Sequence, residues 1–218
     1  MGKIVIKNLS KSFKNNNTLP TIVLKNCNLE IGANEAVGLL GLNGSGKTTL
    51  MKILAGAEEL SSGKKIIQGN ISWPVGIYSG LVNNISVSQN IFLIANLLNI
   101  KQEGLLDRVL SDKILNSSKE KLVMHLSSGM RARLGLVLAT SIDFDFFLFD
   151  ELSAVGDKFF RKLFYEKLQE IKLDRSVIMT SHHDKIIERY CDYAYIIRNK
   201  TLSKKYPVDE AIKIFNEV

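Results

Sequence analysis

The chain has 218 residues, of which 45% are hydrophobic and 23% charged, with three prolines. A domain of this size buries roughly 70% of its unfolded surface, and the apolar content excludes a disordered or collagen-like chain. The net charge of +7 admits anionic partners, but the densest basic runs, Lys7 to Lys14 and Arg198 to Lys205, lack the interleaved aromatics of nucleic-acid surfaces, so no direct nucleic-acid binding is expected.

Strand-like alternation or clustering covers Ile4–Leu9 and Ile22–Ile31, with a polar turn at Lys14–Thr18 between them. Glu35–Leu40 is a short apolar strand that runs through glycines into a helix over Thr48–Ala55. Leu60–Gly63 reads as a turn, followed by short strands at Lys65–Gln68 and Ile71–Trp73. From Ser86, Ile91, Leu93, Ile94, Leu97 and Leu98 follow a period of roughly 3.6 residues. Helical or polar segments continue to Ser141. Phe146–Phe149 is a buried strand, Phe159–Ile171 a helix, Ser176–Thr180 a strand, Asp184–Tyr190 a helix and Tyr193–Ile197 a strand. Pro207 opens a last helix with Asp209 and Glu210 in its first turn, as the helix dipole favours. Strand–helix alternation at both ends predicts an α/β fold with a mostly parallel sheet, and the helical middle, roughly 80–142, reads as an inserted subdomain of a single domain, 1–218.

A membrane-spanning helix needs about 20 apolar residues, and the longest such run, Ala36–Leu42, is far shorter, so no span is expected. The alternating start, with Lys3 and Lys7, does not read as a signal peptide, and Ile6 rules out a myristoylation motif at Gly2. Cys27 and Cys191 have no metal or framework spacing and read as buried thiols suited to a cytoplasm.

Gly41-Leu42-Asn43-Gly44-Ser45-Gly46-Lys47-Thr48 matches the pattern G-x-x-x-x-G-K-[ST] at every fixed position, between an apolar strand and a helix. Such glycines let successive backbone N–H groups converge on one anion, and the helix N-terminus adds positive partial charge. Lys47 would reach the β- and γ-phosphates of ATP, and the Thr48 hydroxyl would bind Mg²⁺. Thr49 follows in the same first turn as a further phosphate contact. Phe146–Phe149 then delivers Asp150 and Glu151 to a strand end, where ligands bind in parallel sheets. Asp150 would hold Mg²⁺ through its water shell, and Glu151 would polarise the attacking water.

Leu126-Ser127-Ser128-Gly129-Met130, lying between these motifs and opening the apolar helix Arg131–Ala139, resembles the Leu-Ser-Gly-Gly-Gln signature of ABC-type ATPases. Ser128 stands for the first glycine and Met130 for the glutamine; taken alone, the stretch is also an ordinary capped helix start. The resemblance covers Ile4 to about Asn199. It implies a P-loop ATPase core with an N-terminal antiparallel β subdomain and the helical insertion, acting as a homodimer. Each ATP would lie between Gly41–Thr48 of one chain and Leu126–Met130 of the other, with Ser127, Ser128 and Gly129 as the contacting residues. It implies a D-loop at Ser153–Asp157, with Asp157 as its acid, and a switch histidine at His182. His183 is adjacent, and His182 is preferred because it directly follows the strand and Ser181. Phe13 sits where the family places an aromatic that stacks on adenine, though a Phe at a strand end is more often core.

The family usually carries a Gln after the strand that follows the phosphate-loop helix. Here the region reads Ser72-Trp73-Pro74-Val75-Gly76-Ile77-Tyr78-Ser79-Gly80, with Gln68 too early and Gln89 too late, at a helix start. This stretch, the signature variant and the Ala-Val-Gly-Asp D-loop together resemble the ATPase subunits of capsular polysaccharide and O-antigen exporters, the short capsule type more, since the chain stops at Val218. The resemblance implies an ATPase at the cytoplasmic face of the inner membrane, attached peripherally through a separate integral-membrane permease. The uncharged stretch around Trp73–Asn90, within the charge-free run Ile71–Ile100, and the helical insertion are the expected docking surface. The alternatives are a soluble ABC-type ATPase acting on nucleic acid or ribosomes, a non-catalytic ATP-binding regulator, or an exporter of another substrate.

Overall fold

The structure is a computed structural model that describes residues 2–15, 18–76, 80–152, 157–181 and 183–217. The chain forms two compact units, one of 1–74, 144–151 and 171–218, the other of 75–143 and 152–170.

The first unit contains two sheets. β1 (Lys3–Asn15), β2 (Thr18–Ile31) and β4 (Ser62–Gln68) form an antiparallel sheet in the order β2-β1-β4. β1 and β2 are longer than their alternation predicts, and strand pairing continues through most of the expected turn at Lys14–Thr18; Asn16 and Asn17 lie outside the described residues. The physical reason is a pair of irregularities. Asn8 and Asn26 adopt left-handed φ values of 51° and 50°, and the pairing register shifts between Ile6 and Leu9. Ile4 and Ile6 before the shift, and Leu9 after it, thereby face the same core. The Asn28 side chain ties the two strands by accepting the Asn8 N–H at 2.9 Å.

The second sheet has the order β10-β8-β3-β7-β6-β5, with β9 (Thr201–Leu202) on β8. Its strands are β3 (Ala36–Leu40), β5 (Ile71–Val75), β6 (Phe146–Asp150), β7 (Ser176–Thr180), β8 (Tyr193–Arg198) and the short β10 (Tyr206–Pro207). β6, β7, β3 and β8 pair in parallel, whereas β9 and β10 run antiparallel to β8. β3 and β7 are buried at every position, the pattern of parallel strands covered on both faces. α1 (Lys47–Leu54) contributes Leu50, Met51, Ile53 and Leu54 to a core that also takes Ile4, Ile6 and Leu24 from the antiparallel sheet and Leu39, Leu148 and Ile178 from the parallel one. α7 (Asp184–Tyr190) and α8 (Val208–Asn216) complete this unit. The fold is thus α/β with a mostly parallel sheet and an N-terminal antiparallel sheet.

The second unit is helical. It holds α2 (Val87–Leu97), α3 (Gln102–Leu110), α4 (Lys113–Asn116), α5 (Ser128–Thr140) and nearly all of α6 (Lys158–Ile171). α2 begins in a capping box: Ser86 Oγ accepts the Gln89 N–H, and the Gln89 side chain accepts the Ser86 N–H. Asp112 caps α4 and pairs with Arg133 of α5 at 2.7 Å. α5 is buried from Leu134 to Ala139 without interruption, as expected of a helical stretch that is apolar on every face.

Candidate functional site

The phosphate loop follows directly from the buried strand β3. At Gly41 a Cβ would stand 2.5 Å from Ser45 Oγ and 2.9 Å from the Ile197 carbonyl oxygen, so no other residue fits. Gly46 precedes α1 with φ 110°, in the left-handed region. No acidic residue sits in the first turn of α1, so no side chain of that turn offsets the positive end of its dipole.

Lys47, first residue of α1, is only 7% exposed. Its Nζ donates to the carbonyl oxygens of Gly41 at 2.7 Å and Leu42 at 3.1 Å. Burial pushes its pKa down, and the carboxylates of Glu151 and Asp150 oppose that shift. An open pocket of about 440 Å³ is lined by Val23, Asn43, Gly44, Gly46, Lys47, Thr48, Thr49 and Glu151.

Asp150 ends β6, opposite Thr180 at the end of β7. The Thr180 hydroxyl donates to Asp150 Oδ1 at 2.8 Å and accepts the Glu151 N–H at 3.0 Å. Glu151 leaves the strand with a left-handed φ of 56°. Thus Lys47, Thr48, Thr49 and Glu151 meet at one pocket, with Asp150 at the adjoining strand end. Backbone N–H groups at a helix start, a buried lysine and the buried Ser45 Oγ, which has no hydrogen-bond partner among the described residues, form a donor set that fits a polyphosphate. The hard oxygens of Thr48 and Asp150 fit Mg²⁺.

Ser127 caps α5, its Oγ accepting the Met130 N–H at 3.2 Å, and Ser127 and Ser128 are exposed there. Asp157 Oδ1 accepts the Phe160 N–H at 2.8 Å at the start of α6. Ser153–Gly156 and His182 lie outside the described residues. His183 is exposed, and its N–H donates to Ser181 Oγ at 3.0 Å. Phe13 is 41% exposed, which excludes the core alternative. It pairs with Thr21 across the hairpin, and Lys11 Nζ stands 4.7 Å from its ring centroid.

Gln68 lies exposed in β4, and Gln89 is engaged in the cap of α2. Ile77–Ser79 of the same region lie outside the described residues. Trp73 packs edge-on against Phe144 at 5.8 Å between ring centroids. Two site residues escaped sequence reading. Val23 lines the pocket only through the β1–β2 register. Thr180 is a polar residue closing a buried apolar strand, the one local signal that points to it.

A profile described as ABC transporter matches residues 24–154. The chain is 34% identical over 218 residues to the polysialic acid transport ATP-binding protein KpsT of Escherichia coli, covering 96% of each chain. It is 29% identical to the capsule polysaccharide export ATP-binding protein CtrD of Neisseria meningitidis, covering 90% of this chain and 91% of that one. A solved structure described as the ATP binding subunit of an ABC transporter superposes with a TM-score of 0.83 at 22% identity, covering 98% of this chain and 93% of the other, a likeness of fold.

Proposed function

The chain belongs to the ABC transporter family of ATP-hydrolysing proteins, and on that premise we propose that it is the nucleotide-binding subunit powering export of a cell-surface polysaccharide. The observation that carries the proposal is the convergence of Lys47, Thr48 and Glu151 on one pocket beside Asp150. The names of the KpsT and CtrD relatives, one for polysialic acid transport and one for capsule polysaccharide export, supply the substrate class.

In this reading the backbone N–H groups of Gly44 and Gly46 and the ammonium of Lys47 cradle the β- and γ-phosphates. The Thr48 hydroxyl and, through its water shell, Asp150 would hold Mg²⁺, which would supply positive charge to offset that of the phosphates. Glu151 orients a water in line with the γ-phosphorus and accepts its proton as the bond to the ADP oxygen breaks. Phe13 stacks on adenine. Ser127, Ser128 and Gly129 of a second copy close over the γ-phosphate, with Asp157 and His182 at the same junction, so the working unit is a homodimer. Residues 1–218 then form one nucleotide-binding domain with a helical subdomain at about 80–142.

Among the described residues no helix is long and apolar enough to cross a membrane; the names of the relatives as ATP-binding proteins of transport and export systems support delivery of the energy to a separate integral-membrane permease. Peripheral attachment at the cytoplasmic face of the inner membrane follows from that partner. Co-purification with a polytopic permease, and phosphate release that depends on it, test the proposal. Turnover stimulated by nucleic acid and falling steeply with salt would favour a soluble ATPase instead.

A further inference from the structure

We propose that Thr180 is a positioning residue for ATP hydrolysis: one buried hydroxyl sets both the carboxylate of Asp150 and the backbone of Glu151. Thr180 is 1% exposed, at the end of β7. A threonine hydroxyl has one proton and two lone pairs, and both kinds of bond are used. The proton goes to Asp150 Oδ1 at 2.8 Å, and a lone pair takes the Glu151 N–H at 3.0 Å. The parallel register sets Asp150 directly opposite Thr180, so the contact is built into the sheet.

Each bond has a consequence for chemistry. Engaging Oδ1 restrains rotation of the Asp150 carboxylate and leaves its remaining lone pairs for the water shell of a metal. Holding the Glu151 N–H supports the φ of 56° with which Glu151 turns out of β6 into the phosphate-loop pocket. A residue with a side chain occupies that region only where its surroundings impose it. Strand packing alone does not ask for a hydroxyl, because β7 is otherwise the apolar run Val177–Met179 after Ser176, and valine has the same branched shape. This role rests on those proposed above for Asp150 and Glu151.

The test compares Thr180→Val, Thr180→Ser and Glu151→Gln in the full chain. Thr180→Val should keep the wild-type melting temperature and bind ATP normally in the presence of a chelator. Its turnover should fall about 10- to 100-fold, the usual scale for residues that orient metal-side ligands, and half-maximal activity should require more Mg²⁺. Thr180→Ser should restore most of both. Wild-type turnover and Mg²⁺ dependence in Thr180→Val, with Glu151→Gln inactive, would overturn the role of Thr180 and leave that of Glu151 standing. A fully active Glu151→Gln would overturn both. Failure of Thr180→Val to fold, or a Thr180→Ser no better than Thr180→Val, would make the hydroxyl structural and likewise overturn the proposal.

Discussion

The Lys47 ammonium lies 2.7 Å from the carbonyl oxygen of Gly41, so the lysine that opens α1 folds back to brace the loop preceding it. Its burial lowers its pKa while Glu151 and Asp150 hold the proton on, leaving a cation that gains by meeting phosphate oxygens. Lys47→Ala should therefore weaken ATP binding to the isolated subunit, measured by calorimetry.

Ser127→Arg should behave differently. It should bind ATP normally as a monomer but fail to form the ATP-dependent dimer in size-exclusion chromatography. Because Ser127 also caps α5, loss of its side chain should cost about 0.5–2 kcal/mol of stability. Equal loss of monomer binding in the Lys47 and Ser127 variants would contradict the two-chain site.

Phe13 projects from the β1–β2 hairpin with 41% of its surface exposed. Stacking of an aromatic ring on a base is worth about 1–3 kcal/mol, which corresponds to roughly 5- to 150-fold in Kd. Phe13→Ala should raise the Kd for ATP on that scale with little change in melting temperature, and Phe13→Tyr should not. A fall in melting temperature at unchanged affinity would place the adenine contact elsewhere.

Cys27 and Cys191 are both buried and free. Burial raises both thiol pKa values, that of Cys191 far above the ordinary range, so the reactive thiolate is scarce at neutral pH. Neither should react with a thiol reagent in the native protein, and both should react in denaturant. Rapid native labelling of either would contradict the packing.

Within the uncharged run, Asn83 and Asn84 are exposed, whereas Trp73 is engaged with Phe144. The loop that presents them is pinned by Asn90, whose side chain bonds to both the N–H and the carbonyl oxygen of Val82. Asn83→Glu with Asn84→Glu should leave melting temperature and basal ATPase activity unchanged but abolish co-purification with the permease. Continued assembly would move the docking surface elsewhere, and unfolding would mean that the loop only packs.

The phosphate loop and the Asp150–Glu151 pair were legible because their residue types and order are local. β3, β6 and β7 were legible because parallel buried strands are apolar without alternation. The full length of β1 and β2 was not, since the irregularities at Asn8 and Asn26 shift the hydrophobic phase while pairing continues across them. Gln89 was recognisable as a helix-start residue because a capping box is a local pattern. The role of Thr180 was not legible, because its partner Asp150 becomes its neighbour only through the β6–β7 register.

Replacing Glu151 by Gln tests the central claim most directly, because it removes the proposed proton acceptor while sparing Lys47, Thr48 and Asp150. In cells whose wild-type chain is replaced by this variant, surface polysaccharide should disappear and polymer accumulate inside, while the purified variant binds ATP, stays dimeric and turns over at least about 100-fold more slowly, the lower end of the range for loss of a positioned general base. Normal hydrolysis together with normal surface polysaccharide would contradict the account.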